Sequence, residues 1–447
     1  MTQKHFGTDG IRGRVGQNKI TPEFCLRLSW AIGKVFGQQD GRPHIVIGKD
    51  TRISGYMLES VLQSGFISAG ADVSLLGPIP TPAIAYLTRT VSADVGVVIS
   101  ASHNPFYDNG IKLFDGAGNK LDDALEQQIE EMIEAPMVCE DSKHLGKAKR
   151  ITDASGRYVE FCKNLAPKGF GLRGVKIVLD CAHGATYQVA PQVFAELGAD
   201  VVTIAADPDG FNINRNCGST HPEQLQQRVI EEAADIGIAF DGDGDRLVVV
   251  DATGKLLDGD HLLYVITQNR LAREVMNGGV VGTVMSNLGL EHALKDLSVP
   301  FLRAQVGDRH IMEALHQRQW ILGGEPSGHI LTLDLCSTGD AIVAGLQVLL
   351  AMQDVDVSLH DLASRLSKAP QVLVNVVMDS PAEVSFHPQM LKITAKYEQR
   401  LGDRGRILVR PSGTEPLLRI MVEGEDESEV ARIADDLAAH AKGIRAA

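Results

Sequence analysis

The residues best equipped for chemistry stand in Asp241-Gly-Asp-Gly-Asp-Arg246, where three carboxylates alternate with glycines directly after an apolar run. In an extended loop alternate side chains point to one side, and the glycines remove the Cβ atoms that would keep Asp241, Asp243 and Asp245 from converging on one ion. An all-oxygen donor set selects a hard cation. Three monodentate carboxylates leave room for a phosphate oxygen or water, which favours magnesium over calcium. The loop is no EF-hand, which needs glycine sixth and glutamate twelfth where this chain has Arg246 and Ala252. Arg246, beside the acids, is suited to contact a phosphoryl group held there.

Two further stretches have the composition of ligand loops. Arg410-Pro-Ser-Gly-Thr-Glu-Pro416, with Arg419 beyond it, offers guanidinium groups, the hydroxyls of Ser412 and Thr414 and a free backbone at Gly413, the parts of a phosphate cradle. Gly324-Glu-Pro-Ser-Gly-His329 joins an acid, a hydroxyl and an imidazole. Glu325 and Ser327 can bond a polyol, and His329 titrates in a range suited to proton transfer.

Ser102 ends the run Val-Gly-Val-Val-Ile-Ser-Ala-Ser-His-Asn over 95–104. A β-branched stretch this short fits an inner strand of a parallel sheet, and ligands collect at the carboxyl ends of such strands. Read alone, Ser102 is equally a cap for the next helix or turn. With His103 it makes no hydrolase pair, because adjacent side chains on extended backbone point apart and no Gly-x-Ser-x-Gly surrounds it. Nucleotide motifs also fail. Gly169-Phe-Gly-Leu-Arg-Gly174 precedes a strand instead of following one, and Gly48-Lys49 lacks the rest of a P-loop. Beside a magnesium site and two ligand loops, the better role for Ser102 is to carry a phosphoryl group.

The elements that must position these residues repeat as strand, loop, helix, the pattern of α/β units. At 447 residues the chain exceeds one core. We expect an α/β protein of three similar parallel or mixed-sheet domains and a smaller C-terminal α+β domain around a central cleft. The boundaries read as 1–154 for the Ser102 domain, 155–256 for the acidic triad, 257–370 for the Glu325 loop and 371–447 for the Arg410 loop. Past Pro370, Val372, Val374, Val376 and Met378 alternate as in a half-exposed strand. Near the start, Phe6-Gly-Thr-Asp-Gly-Ile-Arg-Gly13 reads as a loop whose glycines admit a ligand or make a tight turn. The apolar segment 341–352 is too short to span a membrane and reads as a core helix. A net charge of −14 opposes nucleic-acid binding, and six scattered cysteines without a Cys-x-x-Cys pair fit a reducing, cytoplasmic setting. No apolar leader is evident at the amino end, and neither a membrane nor a nucleic-acid partner is expected.

Taken in order, Phe-Gly-Thr-Asp-Gly-Ile-Arg-Gly, Ser-Ala-Ser-His-Asn-Pro, Asp-Gly-Asp-Gly-Asp-Arg, Gly-Glu-Pro-Ser-Gly-His and Arg-Pro-Ser-Gly-Thr-Glu-Pro resemble the α-D-phosphohexomutase family. The opening motif looks like its bacterial phosphoglucosamine mutase branch. Pro326 departs from that branch, which usually carries glutamine there. The resemblance implies a magnesium-dependent intramolecular phosphotransferase, one ion per chain, with Ser102 phosphorylated and Asp241, Asp243 and Asp245 holding the metal beside it. It implies sugar contacts from Glu325 and Ser327, and a phosphate site of Arg410, Ser412, Gly413, Thr414 and Arg419. Arg12, Lys112, Arg246 and His329 match positions near the transferring group, with Lys112 and His329 both candidates for general base. The implied reaction interconverts glucosamine 6-phosphate and glucosamine 1-phosphate through a 1,6-bisphosphate that also primes the enzyme, supplying amino-sugar precursors for cell-wall synthesis. The rivals are a phosphomannomutase/phosphoglucomutase, a phosphatase and a non-catalytic sugar-phosphate sensor. Oligomeric state is left open, a homodimer included.

Overall fold

The computed structural model describes residues 5–7, 9–40, 42–412 and 416–444. Among them the strands form four sheets, taken in chain order. In the first, the order is Ile11–Arg14, Asp108–Asp115, Val95–Ile99, His44–Lys49, Asp72–Pro78 and Ala148–Arg150. Val95–Ile99 runs parallel to His44–Lys49, as expected of a covered apolar strand, but antiparallel to Asp108–Asp115 on its other side, so the sheet is mixed. All five residues of that strand are buried.

Ile11–Arg14 corrects the expectation of a loop at the amino end: it is an edge strand in which Arg12 faces Gly110 in register. Gly10 makes this possible. Its φ is +79°, and a Cβ there would stand 2.3 Å from the Ile111 carbonyl oxygen, so only glycine lets the chain turn onto the sheet at this point.

The second sheet is ordered Leu256–Leu257, Leu247–Asp251, Ile236–Phe240, Lys176–Asp180 and Asp200–Ile204. Ile236–Phe240 and Leu247–Asp251 are antiparallel, with Phe240 opposite Leu247. The acidic triad is therefore a hairpin loop, not an extended one, and its acids converge because the loop folds back. The third sheet ends in a second hairpin, Leu322–Gly324 against Ile330–Thr332, which carries Glu325 to His329 at its tip. The fourth is an antiparallel set of Gln371–Val377, Leu417–Gly424 and Gly405–Pro411, and the Arg410 loop joins the last two.

One apolar core runs continuously through the first three units, with the helix Ala341–Val355 buried in it from Ala341 to Ala351. The other face of the first sheet packs a second core against the helices Pro22–Asp40 and Ser54–Ser68. The fourth unit has a separate core, which sets it apart from the rest. Arg406 spans that division: its Nε donates to Glu423 and its two terminal nitrogens to the carbonyls of Val284 and Ser286 at 2.7 Å.

Candidate active site

The Ser102, triad and Glu325 loops each follow the end of a strand. Ser102 follows Val95–Ile99 and is fully buried, with φ +52°. Its Oγ donates to Asp241 Oδ2 at 2.6 Å, which joins the first motif to the second. The left-handed backbone also brings Ser102 Oγ within 3.4 Å of His103 Nδ1, contrary to the expectation that these side chains point apart. A hydrolase pair still does not result. His103 Nδ1 accepts from Arg246 Nη1 at 2.5 Å, and burial with the Arg246 charge pushes the imidazole down to about 4, leaving it a poor base.

The triad is a preformed oxygen cage. Asp241, Asp243 and Asp245 are buried, and each has a ligand oxygen within 4.8 Å of the others. Asp243 Oδ2 accepts from Thr81 Oγ1 at 2.7 Å and Lys112 Nζ at 2.9 Å, while Lys112 also reaches Asp245 Oδ2 at 3.2 Å. The remaining oxygens, Oδ1 of Asp243 and of Asp245, are buried with no hydrogen-bond donor. Burial and the two neighbouring acids push the Asp241 carboxyl well up. Burial also opposes ionisation of Asp245, but Lys112, His329 and Arg246 outweigh it and hold that carboxyl well down. Buried orphan oxygens in an acidic cluster fit a divalent cation: its charge would relieve the mutual repulsion and its bonds would use them.

Lys112 is the hub of the cationic side. It comes from Asp108–Asp115, and besides the two triad acids it meets Asp9 at 3.2 Å. Burial disfavours its charge, yet three carboxylates overcome that and raise its pKa above the ordinary lysine value. Asp9 pairs with Arg12 and with Lys120 at 2.5 Å, and Lys120 goes on to Asp308 at 2.5 Å. His329, buried, stands 3.8 Å from Asp245 through Nδ1 and 3.7 Å from Asp308 through Nε2. These two acids raise its pKa against the pull of burial.

The Glu325 loop is registered on the second sheet. Leu247 N–H donates to the Gly328 carbonyl at 3.1 Å, and Gly328, at φ +90°, has no space for a Cβ, which would stand 1.7 Å from the Leu247 carbonyl oxygen. Glu325 accepts from Gly307 N–H at 3.0 Å and from Ser327 Oγ at 3.1 Å, so its carboxylate is aimed by two donors. On the fourth sheet Arg410 lies opposite Arg419, and Ser412 N–H donates to Leu417 O at 2.9 Å. Burial and the Arg419 charge lower the Arg410 pKa, as befits two cations paired across strands before an anion arrives. Gly413 and Thr414 lie outside the described residues.

Thus Ser102, the triad, Arg12, Lys112, Arg246 and His329 are linked directly or through one acid. Thr81, Lys120 and Asp308 join them without any motif to mark them, and so does Asn214, whose Nδ2 donates to the Ser102 carbonyl at 2.9 Å. The chain matches four domain families in succession: phosphoglucomutase/phosphomannomutase alpha/beta/alpha domain I over residues 3–137, domain II over 157–254, domain III over 258–369 and the C-terminal domain over 373–440. The chain belongs to the phosphoglucomutase/phosphomannomutase family. Within it, the chain is 57% identical over 438 residues to a phosphoglucosamine mutase of Pseudomonas savastanoi pv. phaseolicola, covering 98% of each. It is 54% identical over 443 residues to a phosphoglucosamine mutase of Hahella chejuensis, covering 99% of this chain and 100% of that one. A phosphoglucomutase/phosphomannomutase family protein of Burkholderia thailandensis has the same fold, with a TM-score of 0.79 at 24% identity over 97% of both chains. Among the described residues no helix is long and apolar enough to cross a membrane.

Proposed function

We propose that this chain is a phosphoglucosamine mutase, interconverting glucosamine 6-phosphate and glucosamine 1-phosphate with Ser102 as phosphoryl carrier. The observation that carries the reading is the 2.6 Å bond from Ser102 Oγ to Asp241, which sets a nucleophilic hydroxyl against an acidic cage suited to a divalent cation. Full-length identity above 50% to proteins of that name supports the choice of sugar.

In this reading Asp241, Asp243 and Asp245, together with an oxygen on Ser102, hold one magnesium ion, which when bound withdraws charge from the phosphoryl oxygens. Phosphoryl transfer spreads negative charge over the equatorial oxygens, so the protein contributes chiefly position and positive charge. Arg12, Lys112 and Arg246 supply that charge from fixed places. Glu325 and Ser327 hold sugar hydroxyls, while Arg410, Ser412, Gly413, Thr414 and Arg419 hold the phosphate that is not reacting. The phosphoryl group leaves Ser102 Oγ for the 1-hydroxyl of glucosamine 6-phosphate, whose proton is given up to the site. The resulting 1,6-bisphosphate turns, and its 6-phosphate returns to Ser102. Hexosamine 1,6-bisphosphate from solution would load an unphosphorylated enzyme in the same way. Lys112 is committed to three carboxylates and His329 is biased toward its protonated form by Asp245 and Asp308, so both remain candidates for the proton acceptor.

Measuring kcat/KM on glucosamine, mannose and glucose 6-phosphates tests the choice of sugar. We expect glucosamine 6-phosphate to lead, and a preference of about 100-fold for either neutral sugar, roughly 2.7 kcal/mol of transition-state binding, would overturn it.

A further inference from the structure

Ser102 adopts a backbone conformation that its side chain disfavours, so something outside it must hold it there. A closed ring of hydrogen bonds does so. Ser102 N–H donates to Ser100 Oγ at 2.9 Å, and the Ser100 hydroxyl donates to Asp50 Oδ2 at 2.5 Å. Asp50 accepts in turn from Arg52 Nη1, and Arg52 Nη2 closes the ring on the Ser102 carbonyl at 3.1 Å. Both backbone polar groups of Ser102 are thereby tied to one ion pair. The same Nη2 donates to the Asn104 carbonyl, so a single guanidinium grips the loop on either side of His103. From the second unit, Asn214 Nδ2 donates to the same two carbonyls at 2.9 and 3.1 Å.

This pair is a poor device for stability alone. Both side chains have no exposure, and Arg52 Nε is buried without an acceptor. Burying a charge pair with an unmatched donor is commonly no better than an apolar filling of the same volume. What an apolar filling cannot do is fix the two peptide planes that flank Ser102. Those planes set the direction of Oγ, which must stay beside the acidic cage both when the phosphoryl group leaves and when it returns.

We propose that Asp50 and Arg52 are positioning residues for phosphoryl transfer, holding Ser102 Oγ on the acidic cage, with Asn214 as a second donor from the neighbouring unit. The proposal rests on the reading of Ser102 as phosphoryl carrier.

The test uses Arg52→Lys and Ser100→Ala in the full chain. Lysine keeps a charge for Asp50, but a point ammonium cannot reproduce the fork that reaches Asp50 and two carbonyls together. Wild type and variants are loaded with glucose 1,6-bisphosphate, and intact mass with peptide mapping reports the phosphate on Ser102. We expect kcat per folded, phosphorylated molecule to fall about 10²-fold in Arg52→Lys and about 10-fold in Ser100→Ala, as a small misplacement of the reacting atom requires. KM for the sugar phosphate should stay within about two-fold, because the sugar contacts lie elsewhere. The share of phosphoserine lost to water as free phosphate should rise. Wild-type kcat in both variants, or losses that only track the folded fraction, would overturn the proposal. Should Arg52→Lys not fold, Ser100→Ala, which deletes one oxygen atom, decides by the same split. Isomerisation by wild type without phosphate on Ser102 would instead remove the carrier reading, and the proposal with it.

Discussion

Ser102 Oγ and Asp241 Oδ2, 139 positions apart in the chain, lie 2.6 Å apart in the fold. The contact requires the first sheet to deliver a strand end and the second to deliver a hairpin tip to the same point. Thr81 reinforces the junction: its N–H donates to the Asp243 carbonyl at 2.9 Å and its hydroxyl to the Asp243 carboxylate. The site is therefore a product of how two units dock, and its chemistry depends on that docking.

The acidic cage makes metal dependence the first consequence. Asp243→Asn removes one anionic oxygen that has no protein donor. It should lower kcat/KM by at least about 10²-fold at limiting magnesium, with partial recovery as magnesium is raised. Titration of activity against magnesium checks this, and an unchanged curve would count against the cage.

Lys112→Met separates the charge of the protein from that of the ion. Three carboxylates would lose their shared cation, which should destabilise the magnesium-free protein by about 3–5 kcal/mol. The same loss leaves the cage more eager for a cation, so magnesium should raise the unfolding temperature of the variant more than that of wild type. Thermal unfolding with and without magnesium reads both effects, and equal increments would contradict the account.

Asp340 sets a pH dependence away from the metal. It caps the helix Ala341–Val355 by accepting from Val343 N–H at 3.0 Å and accepts from Tyr158 OH at 2.8 Å, yet burial pushes its carboxyl up to about 6. Its folded value is above the unfolded one, so the folded state holds the proton more tightly, and stability from this group falls as pH rises from about 4 through 6. The linkage amounts to roughly 3 kcal/mol. Asp340→Asn should remove this fall, so unfolding midpoints of wild type and variant between pH 4 and 7 should converge at the acid end and separate at the neutral end. Parallel curves would exclude Asp340 as the cause.

Arg410 faces Arg419 across two strands. Arg410→Ala should raise KM for the sugar phosphate about 10- to 100-fold, the worth of one or two charge-assisted bonds to a phosphate, with a smaller effect on kcat. It should not lower the unfolding temperature, since it also relieves the repulsion between the two guanidinium groups. Steady-state kinetics beside a thermal scan test the pair of expectations.

The parts of the site written in local composition were legible in the sequence: the covered strand before Ser102, the glycine-spaced acids, the alternating valines of the fourth sheet and the buried helix at 341–352. The features that escaped depend on pairing between distant segments. Asp108–Asp115 holds Lys112, but its Asp-Asn-Gly opening looks like a turn, and only the register against Val95–Ile99 makes it a strand. Ile11–Arg14 escaped likewise, hidden among glycines. Of the acids around the cations, Asp9 sits in the opening glycine motif, whereas Asp308 comes from a separate unit and carries no motif of its own. Asp50-Thr-Arg52 carries no motif. Its position at the end of His44–Lys49, next to the strand of Ser102, was the available signal.

The central claim is that Ser102 hands its phosphoryl group to the sugar and recovers one from it. The most direct measurement is rapid mixing of enzyme, phosphorylated and mapped by mass spectrometry, with glucosamine 6-phosphate in a single turnover. The account predicts one phosphate per chain, on Ser102, that disappears as an equal amount of hexosamine 1,6-bisphosphate forms and then returns. Isomerisation with Ser102 unmodified throughout, or with its phosphate retained while product accumulates, would contradict it.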